Sequence, residues 1–331
     1  MRFRFKPTLE QRSALRAQLA RLQRPAVVRE ILGSVLPVDF KPTDVVCTPQ
    51  SVHSDRFVLR ARIHSGVNQE RAYALKAYSD DFGQQVWAHS QALAEHSQSN
   101  PHGLCLAMAY IPHERLLIFP WVEGVFLSEI VDERKPALLQ EVARIAANLH
   151  RSAVVPEPPT TAQMFVEETR ARCERLRRRW PSAAPFTGPL MDALQEALTL
   201  LDPAESAPVH GDMASGQFLW TGERLVLLDL DMFGYTDPAY DAGHFLAQLE
   251  RRCLLDPPLQ AFAPQWLASF RDSYLAEMPK VSARNVTFYR GLTLVRKIYT
   301  LCRKQAAEWP QLVPPLALHA RAALQEVVAS A

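Results

Sequence analysis

The chain lacks the features that mark several large classes of protein. Its five cysteines, Cys47, Cys105, Cys173, Cys253 and Cys302, lie far apart with no C-x-x-C pair. That argues against a disulfide scaffold or a zinc ribbon and suits a reducing compartment. No apolar run approaches the ~20 residues of a membrane span. The N-terminal MRFRFKPTLEQRSALRAQLARLQR carries charge throughout and has no apolar signal core, so a cytoplasmic location without membrane attachment is expected. A formal net charge of only +2 gives no footprint for nucleic acid. Lysine is scarce, seven residues against thirty arginines, so the position of each one carries information. There is no internal repeat and no low-complexity tract.

What the chain does have is length and patterning. Its 331 residues, 48% hydrophobic, suffice for one large or two smaller hydrophobic cores. Helical spacing of Leu9, Leu15, Leu19 and Leu22 predicts a helix over 8–23, and VVREILGSVLP a short one stopped by proline. The period then changes. DVVCTPQ, RFVLRARIH and RAYALKAYS read as three short strands, the last two joined by a Ser-Gly-Val-Asn turn. Ala72, Ala74, Lys76 and Tyr78 share a face of the third. A helix is predicted over 83–98, then two strands joined at Pro112–Arg115. Beyond Gly124 the chain turns helical: 136–153, the charged VEETRARCERLRRRWP, 189–201, then 239–328 as helices separated by proline breaks. The strand pair GQFLW and RLVLLDLD interrupts them. The fold class expected is therefore α+β and two-lobed: an N-terminal lobe over 1–120 with a crossover at 119–124, and a helical lobe over 125–331.

The polar residues worth weighing lie in VHGDMASGQFLW and VLLDLDMFG. A hairpin of that length brings Gln217 near Asp229, and carboxylate and amide oxygens are ligands that magnesium accepts beside phosphate. Asp212 is a third acid, able to orient a hydroxyl for phosphoryl transfer. The plainer reading makes Asp212 and Gln217 turn residues and Asp229 a cap. Lys76, the only lysine between Lys41 and Lys135, either snorkels to solvent or meets a phosphate. Arg175, Arg178 and Arg179 either bind an anionic substrate or partner or, the reading favoured, form a solvated helix face paired with Glu167, Glu168 and Glu174.

In order, Lys76, LLIFPWVEG, and HGDMASGQFLW…VLLDLDMFGYTDPAYDAGHFL resemble the aminoglycoside phosphotransferase and choline kinase group, small-molecule kinases with a protein-kinase-like fold. The similarity covers 45–250, with 209–246 its specific part. The resemblance implies ATP and Mg2+ as cofactors and a small-molecule hydroxyl as acceptor. It implies that Asp212 orients that hydroxyl, Asp229 binds magnesium, and Gln217 stands where the family usually has a metal-binding asparagine. Lys76 would hold the α- and β-phosphates, with Glu95 as the one acid on the following helix available to pair with it. The carbonyl of Pro120 and the N–H of Val122 would receive adenine, while His210 and Asp241 support the loop. The turn QSVHSDR over 50–56 has no glycine, which leaves Ser51, Ser54 or nearby N–H groups to cover the phosphates.

More basic than acidic residues in 251–331 give little support to a polycationic acceptor, so a sugar, amino alcohol or other metabolite stands beside an aminoglycoside-like one. Two rival readings remain: a catalytically weak or inactive kinase-like nucleotide-binding protein, and a metal-dependent hydrolase using His210, Asp212, Asp229, Asp231 and His244.

Overall fold

The structure, a computed structural model, describes residues 6–36, 44–65, 69–96, 103–304 and 309–331. Gly66 to Asn68 of the expected turn, and residues 97–98 of the expected helix end, lie outside them. The chain divides into two compact units: the described residues up to Glu123 together with Leu228–Asp231, and Gly124–Leu227 with Met232–Ala331.

The first unit opens with α1 (Leu9–Leu22) and α2 (Pro25–Val35). Thr8 and Gln11 form a reciprocal capping box at the start of α1, which satisfies N–H groups that have no partner inside the helix. Pro25 begins α2, where its missing N–H costs nothing. The strands β1 (Asp44–Val52), β2 (Arg56–Ser65), β3 (Gln69–Tyr78), β4 (Ala109–Ile111) and β5 (Leu116–Pro120) form an antiparallel sheet in the order β1-β2-β3-β5-β4. Alternation decides which side each residue faces. Phe57, Leu59, Ala61 and Ile63 of β2 join Tyr73, Leu75 and Ala77 of β3 in a core closed by Leu15, Leu22, Val28 and Leu32 of the two helices. The opposite face of β3 carries Lys76 and Tyr78, and there α3 (Phe82–His96) contributes Val86 to a smaller cluster with Tyr78, Ala107 and Leu117. Between β4 and β5 the chain turns through Pro112–Glu114, with Arg115 in the left-handed region at φ 47°.

The second unit contains β6 (Val125–Phe126), α4 (Lys135–His150), α5 (Ala162–Arg179), α6 (Ala184–Leu198) and β7 (Ala207–Val209). Further along come β8 (Phe218–Trp220), β9 (Leu225–Leu227), β10 (Gly234–Thr236), α7 (Ala239–Leu255), α8 (Ala263–Glu277), α9 (Ala283–Lys304) and α10 (Trp309–Ala329). Two small ribbons, β6-β8-β9 and β10-β7, supply the strands β7 and β8 that flank the loop over 210–217. The long helices α7, α9 and α10 pack together behind them. Gly243 of α7 lies so close to α9 that an added Cβ would meet the Val286 carbonyl oxygen at 2.5 Å and the Arg290 nitrogen at 2.6 Å.

Two proline expectations are corrected. α6 begins before Pro189 and runs through it, and α10 runs through Pro314 and Pro315. A proline inside a helix costs about 3 kcal/mol, and burial of Leu190, Met191, Leu194, Val313, Leu316 and Ala317 opposes that cost. No helix among the described residues is long and apolar enough to cross a membrane.

Candidate active site

The loop after β7 is built around a buried carboxylate. Asp241, fully buried near the start of α7, accepts the His210 N–H at 2.6 Å on one oxygen and the Gly211 N–H at 2.9 Å on the other. His150 of α4 reaches the same carboxylate at 3.2 Å and Tyr274 at 2.9 Å. Burial alone would raise the Asp241 pKa, but these hydrogen bonds and the neighbouring histidines lower it, so it stays an acceptor. Gly211 at φ 83° takes the left-handed conformation that a Cβ would strain. Asp241 and His210 thus support the loop, as the sequence suggests.

The carboxyl of Asp212 projects from this loop with half of its side chain exposed. It lies 3.3 Å from His244 Nε2 on α7. The Thr293 hydroxyl is 3.4 Å from the other ring nitrogen. Assigning the proton to Nε2 lets Thr293 donate to Nδ1 and the ring donate to Asp212. Burial works against the charged form of Asp212. The hydrogen bond from His244 and the nearby charges, Lys297 among them, outweigh it and hold the carboxyl at about 2. Burial lowers the His244 pKa despite Asp212. Asp212, His244 and Lys297 line a cavity of about 170 Å3 with Gly211, Met232, Tyr240, Thr293, Thr300, Arg172 and Arg296.

Lys76 lies in the first unit, buried, on β3. Its Nζ is 2.7 Å from Asp229 and 2.8 Å from Asp231, the acids of the DLD turn. Asp231 is buried, accepts the Tyr78 hydroxyl at 2.6 Å, and has the Arg56 guanidinium at 3.7 Å. Asp229 keeps its side chain 30% exposed and sits in the left-handed region at φ 65°. For a residue with a Cβ that conformation costs roughly 1–3 kcal/mol, and it aims the carboxylate at Lys76. The expected partner, Glu95, is exposed near the end of α3 and makes no ion pair with Lys76 among the described residues. The pairing is corrected to Asp231 with Asp229. The reason is geometric: β3 directs Lys76 at the turn of the DLD segment, and two acids already neutralise it there.

Pro120 ends β5, and its carbonyl oxygen lies 3.8 Å from the Cys105 sulfur. The next residue, Trp121, donates its N–H to Ala72, while the N–H of Val122 makes no hydrogen bond among the described residues. The turn over 53–56 is closed by the His53 N–H on the Arg56 carbonyl. Gln217 ends the short helical turn before β8, its N–H on the Ala214 carbonyl. It belongs to the second unit and Asp229 to the first. Arg175, Arg178 and Arg179 are exposed on α5. The ion pairs of that helix are instead made by Arg172 and Arg296, which share Glu168.

Sequence reasoning missed three groups. Asp231 is legible only as the second acid of DLD and as a metal ligand in the hydrolase alternative, not as the partner of Lys76. His244 was weighed only as a metal ligand, and Lys297 is marked by nothing but the scarcity of lysine. No group of three or more His, Cys, Asp or Glu placed to hold a metal ion is found among the described residues.

A buried acid clamping a loop that presents a half-exposed aspartate, a lysine held by the DLD acids, and an antiparallel sheet joined to a helical unit together define the α+β, protein-kinase-like class of small-molecule phosphotransferases. Residues 61–283 match the family model described as the phosphotransferase enzyme family, and the chain belongs to that family. Among solved structures it is similar to the choline kinase of Cryptosporidium parvum, at 11% identity and TM-score 0.65, covering 92% of this chain and 96% of that one. A spectinomycin phosphotransferase solved with ADP and spectinomycin gives 10% identity and TM-score 0.61 over 91% and 99%. An aminoglycoside phosphotransferase with AMP-PNP and hygromycin B gives 15% and 0.59 over 92% and 98%. No curated protein matches the chain by sequence.

Proposed function

We propose that this phosphotransferase moves the γ-phosphoryl group of ATP to a hydroxyl of a small molecule, with Mg2+ as the metal. The observation that carries the reading is Asp212: an ionised carboxylate, held by His244 on a loop clamped by Asp241, facing a cavity. The adenine nucleotides in two of the related structures support ATP as donor.

The donor set fits a hard cation, since Gln217 and Asp229 offer only oxygen. These two residues would hold the metal, which when bound neutralises phosphate charge. Asp212 accepts the proton of the acceptor hydroxyl as that oxygen bonds to the γ-phosphorus, while the bond from γ-phosphorus to the β-bridging oxygen breaks and ADP leaves with its electron pair. With its pKa held at about 2, Asp212 is a weak base, so its contribution is to orient the hydroxyl and take the proton late, as a loose transition state requires. Lys76 places its charge against the α- and β-phosphates, and Asp231 keeps that lysine from turning away. The Pro120 carbonyl and Val122 N–H receive the adenine edge.

The test is phosphate transfer by the full chain with ATP and Mg2+. Asp212→Asn is expected to lower kcat by about 10²–10⁴-fold, with ATP affinity within a factor of about 3. Full activity in that variant removes Asp212 from the mechanism. Nucleotide binding with no turnover on a broad acceptor panel favours the catalytically inactive reading instead.

A further inference from the structure

We infer that the acceptor is an anion: a small hydroxylated molecule whose carboxylate or phosphate is held by Lys297 and Arg251, beside the Asp212 carboxylate. The inference rests on the phosphotransfer reading and names the substrate class of the same site.

The argument is one of uncompensated charge in a confined space. Three cations line the cavity behind Asp212, Arg172 from α5 and Arg296 and Lys297 from α9, and a fourth, Arg251 from α7, lines a separate cavity. All three arginines lie close enough to Lys297 to disfavour its charge. Arg172 and Arg296 are already committed, both to Glu168, and Arg296 also donates to the Tyr240 hydroxyl at 3.1 Å. Neither Lys297 nor Arg251 has a hydrogen-bond or ion-pair partner among the described residues. The one acid facing Lys297 is Asp212, and in the proposed reaction that carboxylate is engaged with the acceptor hydroxyl. His244, from α7, adds no compensating negative charge.

Arg251 continues the same face of α7 by two turns and, with Gln248, lines a second cavity of about 380 Å3. Gln248 lies 3.3 Å from His244, so a single row of α7 side chains runs from the Asp212 contact to Arg251. That second cavity contains one acid, Asp256, against Arg251 and Arg252, and the Arg252 Nε is buried without a hydrogen bond.

Burying cations without counter-charge is costly, and desolvation disfavours the charged form of Lys297 and of Arg251. An anionic acceptor supplies the missing charge and turns that cost into affinity. A cationic acceptor would meet two unpaired positive groups instead. The volume beside Asp212, about 170 Å3, is below the ~300–1,000 Å3 typical of drug-sized ligands, which suits a compact acid better than a trisaccharide.

The experiment is calorimetry on the full chain with four hydroxylated six-carbon probes that differ in charge: gluconate, glucose 6-phosphate, glucose and glucosamine. Gluconate or glucose 6-phosphate is expected to bind at least about tenfold more tightly than glucose and glucosamine. The preferred anion identifies whether a carboxylate or a phosphate is read. Its affinity should fall at least about tenfold in Lys297→Met and in Arg251→Met and be retained in Lys297→Arg, which keeps the charge and controls for folding.

The inference is overturned by glucose or glucosamine binding as tightly as either anion, by no anion binding, or by affinity unchanged in both methionine variants. It also fails alone where Lys297→Met phosphorylates a neutral or cationic acceptor with wild-type kcat/KM. Anion binding that depends on Lys297, in a chain that neither binds nor consumes ATP, sustains the anion site and overturns the phosphotransfer reading.

Discussion

Asp212 and Lys297 are two ionisable groups pushed in the same direction on the pH scale for different reasons. Asp212 is held at about 2 because hydrogen bonding to His244 and nearby positive charge overcome its burial. Its folded pKa is lowered, so its stabilising contribution is complete above the ordinary carboxylate value and is lost as pH falls towards about 2. The acid limb of kcat/KM should therefore not follow Asp212 in the pH 4–6 range. A limb there that vanishes in Asp212→Glu would contradict this assignment.

Lys297 is lowered to about 8, first by burial, with Asp212 opposing and Arg251, Arg296 and Arg172 reinforcing. The groups facing it are these four, from α5, α7, α9 and the loop over 210–217. Above about pH 8 Lys297 loses its charge, and the KM of an anionic acceptor should rise there in the wild type but not in Lys297→Arg. In the first unit, Asp231→Asn should raise the KM for ATP by roughly tenfold, since the loss of a charge-assisted bond to Lys76 is worth about 1.5–3 kcal/mol at most. Glu95→Gln should leave that KM unchanged. Steady-state kinetics on the two variants distinguishes the acid that positions Lys76 from the one merely near it in sequence.

At the scale of elements, the sequence showed most of the pieces and missed how some of them end. Alternation exposed β1, β2 and β3, because each buries one face under α1 and α2. The charges and leucine spacing of 8–23 exposed α1. Proline misled at α6 and α10, where packing of a buried helical face prevails over a local penalty that sequence reading treats as decisive. Gly243 shows the same override in reverse. Alanine has the higher helix propensity by about 1 kcal/mol, yet at 243 its methyl would press on the α9 backbone at 2.5–2.6 Å. Gly243→Ala should destabilise the protein by about 1–3 kcal/mol, read as a lower midpoint in urea unfolding. A more stable variant would mean that α7 and α9 separate easily.

For the whole molecule, the division of the chain does not follow its order. Leu228–Asp231 belongs with the first unit although a hundred residues of the second precede it. A fragment ending at Glu123 therefore lacks both acids that neutralise the buried Lys76. Leaving a buried charge unpaired costs roughly 3–5 kcal/mol, a large share of the 5–15 kcal/mol that holds a domain together. Such a fragment should show no cooperative thermal transition by circular dichroism under conditions where the full chain does, and a sharp transition would show the first unit to be self-sufficient.

The sequence by itself determined the α+β class, the family resemblance through HGD, DLD and DPAYDAGHFL, and the identity of the residues proposed for catalysis, because motif spacing and hydrophobic periodicity are local and survive in one dimension. Only the tertiary structure decided that Lys76 pairs with Asp229 and Asp231 rather than with Glu95, that His244 holds Asp212, and that Lys297 and Arg251 stand uncompensated behind it. These are relations between side chains separated by 32 to 155 positions, and charge balance in a cavity is a sum over neighbours that the chain order does not contain.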